Sequence, residues 1–174
     1  MTATLCSSLS AADNEALPNS PTRTLERRAD DTSALSHSDR TFLEKAAKSG
    51  RKEVEISEAV VSRLADPQIK AVAQSMVSDH AAVNTELMAL AARKGVSLQP
   101  EKDSLKAGEK WAKKTKDLDD DYLKEMKDDH EEAVKLFEKA LKSDDADIAA
   151  FARKTLPALQ HHLMTVKQIK KATN

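Results

Sequence analysis

Three histidines and one glutamate stand where apolar side chains are expected. His80, His130 and His162 fall on the apolar lines of their own segments, and Glu53 falls on one of two apolar lines further upstream. An ionised carboxylate facing a core is costly unless it is paired or binds a cation. Imidazole and carboxylate on facing helices are the donors from which bundle proteins build zinc, iron or copper sites. Glu53 lies 13 residues before Asp66 and His80 lies 14 after it. In a hairpin turning at Asp66 the two share a level at ~1.5 Å of rise per residue. His130 and His162 lie 13 and 19 residues from Ser143. That offset is about 9 Å along the axis, which makes His162 the outlying member of the set. Asp79 and Asp129 each precede a histidine and are candidate hydrogen-bond partners for the imidazoles.

Met76/His80 and Met126/His130 are i,i+4 pairs, so thioether and imidazole share a face. That pairing suits copper, above all Cu(I), although methionine also fills gaps in cores. The metal-free alternative is a set of buried histidines hydrogen-bonded to Asp79, Asp129 or Glu53. Val77 and Lys127 stand three residues before His80 and His130, where the Glu-x-x-His pairs of di-iron bundles would need glutamate. A ferritin-type di-iron oxidase is therefore not expected. No Ser-His-Asp or Cys-His set and no glycine-rich phosphate loop is recognisable, so a binding or structural role is expected rather than catalysis.

Four long helices must position these residues. The first, over 38–65, opens at Ser36-His37-Ser38-Asp39, a capping-box pattern. Its lines are Phe42, Ala46, Glu53, Ile56, Val60 and Leu43, Ala47, Gly50, Val54, Ser57, Val61, Leu64. Asp66-Pro67 supplies an N-cap and a first-turn proline for the second, over 67–94, and Gly95 closes it. The connection 95–117 contains Pro100 and a short helical stretch, Leu105 to Trp111, with Trp111 expected over one end of the core. The third, over 118–142, opens with Asp119 to Asp121, read as compensation of the helix dipole on a solvated turn. The fourth, over 145–171, contains Pro157, which removes one hydrogen bond and should kink it. The expected fold is all-α: an antiparallel, up-down four-helix bundle over 36–174, behind a disordered leader at 1–35.

Charge and composition narrow the partners. Lys+Arg 28 against Asp+Glu 29 leaves a net charge of −1, with no general pull toward nucleic acid. No apolar run is long enough for a transmembrane helix. The single cysteine, Cys6, excludes an intrachain disulfide framework. A metal ion and a second copy of the chain are the remaining candidate partners. Met1 to Ala12 is small and mildly apolar, and Ser10-Ala11-Ala12 has the look of a signal-peptide cleavage region without a basic n-region. That points to the periplasm or cell envelope, with a cytoplasmic tail as the alternative.

Several segments together resemble a bacterial ferritin-like helical family of unknown function, often described as outer-membrane or exported proteins. They are Ala46-Ala47-Lys48-Ser49-Gly50 with Glu53-Val54-Glu55, Ala73 to His80, Tyr122 to His130, Phe151-Ala152 through Leu156-Pro157, and His162-Leu163. The resemblance implies a ferritin-like up-down four-helix bundle, commonly exported to the periplasm or envelope, with no established enzyme activity. Leu118-Asp119 replaces the Phe-Asp usual there. The functional expectation is an envelope metal-binding or stress-related bundle, and the alternative is a metal-free helical interaction module.

Overall fold

The computed structural model describes residues 35–98 and 102–173. The leader to residue 34 and Pro100 lie outside the described residues. There are five helices and no strands among the described residues: α1 (His37–Val60), α2 (Pro67–Arg93), α3 (Lys102–Ala112), α4 (Leu118–Ala140) and α5 (Ala146–Thr173). Leu35, assigned to the leader from sequence, packs against the core.

The ends follow from local chemistry. The Ser36 hydroxyl accepts the Asp39 N–H at 3.1 Å, and Asp39 in turn accepts from that hydroxyl at 2.6 Å. Asp66 accepts from the N–H groups of Gln68 and Ile69 ahead of Pro67. Gly95 takes φ 69°, and the Val96 N–H closes the α2 terminus on the Ala91 carbonyl at 2.8 Å. α1 stops at Val60, five residues before the expected end at 65. The Arg63 N–H bonds back three residues to Val60, which tightens the last turn. Asp119 of α4 then accepts the N–H groups of Ala65 and Asp66 at 3.0 and 2.7 Å. The aspartate run is therefore more than a solvated, dipole-compensating turn: one member joins α4 to the α1–α2 corner. α5 remains one helix through Pro157.

Residue pairs fix the directions of the long helices. Gly50 and Glu53 of α1 meet Asn84 and His80 of α2, in reverse order. Lys52 and Ser57 of α1 meet Asp129 and Tyr122 of α4, also in reverse. Phe137 and His130 of α4 meet Phe151 and His162 of α5, again in reverse. So α2 and α4 both oppose α1 and run parallel to each other. A strict up-down alternation would have reversed α4 relative to α2. The long connection instead carries the chain from one end of the molecule to the other, and α3 lies along α1 on the way.

Two apolar clusters fill the interior. One gathers Phe42, Leu43, Leu87, Leu90, Phe137, Ile148 and Phe151 where α1 and α5 begin and α2 and α4 end. The other gathers Ile56, Val60, Ile69, Met76, Tyr122, Met126 and Val166 at the opposite end, with Trp111 of α3 beside Tyr122. Each fully buried Leu, Ile or Phe contributes about 1.5–3 kcal/mol. Between the clusters lies a polar layer.

Candidate metal centre

The layer consists of the four side chains that sequence places on apolar lines. Each long helix contributes one: Glu53 from α1, His80 from α2, His130 from α4 and His162 from α5, all buried. The ring nitrogens that the three histidines can offer lie within 4.8 Å of one another. Glu53 Oε2 is 2.9 Å from His80 Nε2 and 3.7 Å from His130 Nε2. His130 Nε2 and His162 Nδ1 are 3.4 Å apart.

His162 is therefore not the outlier that counting along the axis makes it. Every Cα–Cβ bond tilts toward the N-terminus of its own helix. In antiparallel α4 and α5 the two side chains tilt toward each other, and this closes much of the Cα offset.

The outer nitrogens determine where ring protons sit. His130 Nδ1 is 2.9 Å from the Met126 carbonyl, which can only accept, so Nδ1 carries the hydrogen. His162 Nε2 is 3.0 Å from the Asp79 carboxylate and carries its hydrogen there. Burial pushes both pKa values below the usual histidine range, against the pull of Glu53 on His130 and of Asp79 on His162. Both rings are then neutral near pH 7, and each presents a bare lone pair to the other across 3.4 Å. Two acceptors facing each other do not make a hydrogen bond; they call for a proton or a metal ion between them.

Glu53 and His80 show the same tension. Burial opposes the charge on Glu53, yet the facing His80, with His130 behind it, holds its carboxyl down at about 2. Burial likewise lowers His80, and Glu53 more than reverses this, so His80 ends above its usual value. The atoms are at ion-pair distance, but neither Glu53 Oε2 nor His80 Nε2 has a properly directed hydrogen-bond partner in the protein. Ser49 donates to the other Glu53 oxygen at 3.1 Å. Its position four residues before Glu53, one helical turn away, is the sequence signal for that support.

The neighbouring candidates separate. Asp79 reaches His162 across the α2–α5 interface rather than the adjacent His80. Asp129 pairs with Lys52 at 2.8 Å rather than with a histidine, and Lys52 also holds Glu125 at 2.6 Å. Burial pushes Asp129 up to about 6 despite Lys52. Met76 and Met126 are fully buried within the second apolar cluster, where they fill space. Ser57 and Tyr122, 2.8 Å apart beneath the layer, form a buried hydroxyl pair that sequence inspection missed. Nothing in their spacing announces it.

A cavity of about 420 Å³ between α1, α2 and α4 reaches Glu53 and His80. A second, of about 490 Å³ between α2 and α5, reaches Asp79, His161 and His162.

The family model described as "Domain of unknown function (DUF4142)" matches residues 24–169. No curated protein matches the chain. Among solved structures, a DUF305 fragment from Deinococcus radiodurans is similar with a TM-score of 0.66 and 10% identity, over 79% of this chain and 98% of that one. At that identity the likeness speaks for the fold alone. No described helix is long and apolar enough to cross a membrane.

Proposed function

This chain belongs to the DUF4142 family of domains of unknown function, and we propose that it is a metal-binding helical protein whose ion sits among Glu53, His80, His130 and His162. The four long helices are read as a ferritin-like four-helix bundle, with α3 forming the single long crossover that such folds employ. The observation that carries the reading is the pair of lone pairs, His130 Nε2 and His162 Nδ1, facing each other at 3.4 Å inside a buried layer. Two nitrogens each about 2.0–2.1 Å from a tetrahedral zinc-like ion are about 3.4 Å apart. The Asp79–His162 contact is the carboxylate–histidine pairing that orients metal-bound imidazoles.

Three imidazoles and a carboxylate suit zinc or iron. Copper fits less well, because Met76 and Met126 belong to the apolar cluster rather than the layer. Residence in the periplasm or cell envelope and a stress-related role remain part of this reading, and cell fractionation checks the former. Elemental analysis of untagged protein is expected to find one ion per chain, and His80→Ala with His130→Ala to lose it. Unchanged stoichiometry in a folded double variant would sink the proposal.

The 2.9 Å Glu53–His80 contact favours a second reading, a metal-free module in which a proton on His80 pairs it with Glu53. The two readings separate in a thermal melt. A centre that binds one divalent metal at a hundredfold its Kd gains about 2.7 kcal/mol, whereas the proton-held layer gives flat melts with every metal.

A further inference from the structure

We propose that the centre keeps one exchangeable coordination position, opening into the α1/α2/α4 cavity, which takes a small uncharged ligand with a lone-pair donor at one end and an apolar body. This rests on the metal reading above and adds a ligand class to it.

The two sides of the layer are not alike. His130 and His162 do not line the 420 Å³ cavity; Glu53 and His80 do. Their facing atoms, Glu53 Oε2 and His80 Nε2, are buried without a directed hydrogen-bond partner, so the side that reaches this cavity carries uncommitted atoms. Four protein donors fill a tetrahedral set, so the exchangeable position is a fifth, reached by the expansion to five-coordination that zinc-like ions allow.

The walls say what fits. Ala46, Val83, Leu87, Ala133, Phe137 and Leu159 line the cavity and present an apolar surface. Lining charge does not favour either sign, since Lys45, Lys48 and Lys52 are matched by Glu53, Asp129 and Glu132. Lys52 is further engaged by Glu125. Selection therefore falls to shape and apolar contact, as in small-molecule sites that combine apolar walls with one or two placed polar groups. The volume lies within the range of roughly 300–1,000 Å³ typical of such sites. Small side chains keep it open, and Ala46 and Ala133 occupy positions where a leucine would project into the space.

The test uses the full chain loaded with Co(II), whose visible bands report coordination. Imidazole, 4-phenylimidazole and azide are titrated as probes. The bands are expected to shift saturably with 4-phenylimidazole, at least tenfold more tightly than with imidazole, and least with azide. Ala133→Leu is expected to weaken 4-phenylimidazole at least tenfold while leaving the unliganded spectrum unchanged, and Ala46→Leu serves the same purpose if the first variant does not fold. A loaded protein whose spectrum ignores all three probes overturns the exchangeable position. Azide binding tighter than 4-phenylimidazole overturns the ligand class, and undiminished binding in the cavity-filling variants overturns the route. Loss of the protein spectrum to free cobalt–imidazole also counts against it. Failure to take up Co(II) at all overturns the metal reading itself, which distinguishes the two failures.

Discussion

Glu53 remains ionised in surroundings that penalise a charge, because His80 stands 2.9 Å away. In the metal-free protein this pair makes stability depend on pH. His80 is raised above its usual 6.5, so its contribution is complete below that value and is lost as pH rises through the folded one. Glu53 is lowered from 4.5 to about 2, so its contribution is complete above 4.5 and is lost as pH falls toward 2. Asp129, raised to about 6, adds to the His80 trend, because its folded state favours the protonated form. His130 and His162, held below their usual value, pull the other way over the same window. The His80 share is therefore read as a difference: the melting temperature lost on His80→Gln in chelator-treated protein should be larger near about pH 5.5 than near about pH 7.5. Bound metal should reverse that order, since it competes with the proton on His80. Calorimetry at the two values checks both signs. Asp79→Asn, which keeps shape and removes charge, is expected to weaken metal affinity about 10–100-fold without loss of fold, as read by competition with a chelating dye. The four layer residues were legible because polar side chains on apolar lines stand out. The partners of Asp79 and Asp129 were not, because adjacency in sequence says nothing about which neighbouring helix a carboxylate faces.

Helix ends were legible wherever one residue type is strongly preferred, as at Ser36, Asp66 and Gly95. The direction of α4 was not, since a connection as long as 95–117 can join helices running either way. What settles it is a set of contacts between distant segments. Arg63 donates to the carbonyls of Trp111 and Ala112 at 3.1 and 3.0 Å and to that of Lys114, so the α1–α2 corner holds the end of α3. Gly108 brings α3 against α1 so closely that an added Cβ would lie 3.1 Å from the Glu55 carbonyl oxygen. Gly108→Leu is therefore expected to lift α3 from α1, with faster amide exchange over 102–112 and little change around His130. Asp119→Ala removes the acceptor for two backbone N–H groups at the same corner and should cost about 1–2 kcal/mol in denaturant unfolding. Neither residue carries a mark that separates it from an ordinary surface aspartate or loop glycine.

Across the whole molecule the layer divides by origin. α1 and α2 bring Glu53 and His80, and α4 and α5 bring His130 and His162, so each helical hairpin holds half of the donors. Links across the hairpins at this level include the Asp79–His162, Lys52–Asp129 and Glu53–His130 contacts. The same partition bears on the order of folding. Each hairpin is built from contacts local in sequence, and these form early, whereas the layer is complete only after the hairpins dock. An ion held by both halves would then be gripped after the rate-limiting step. Metal is expected to slow unfolding in stopped-flow measurements while leaving the refolding rate nearly unchanged. The chain would thus gain persistence rather than speed, and the polar layer that interrupts the core would act as a latch on the assembled pair of hairpins.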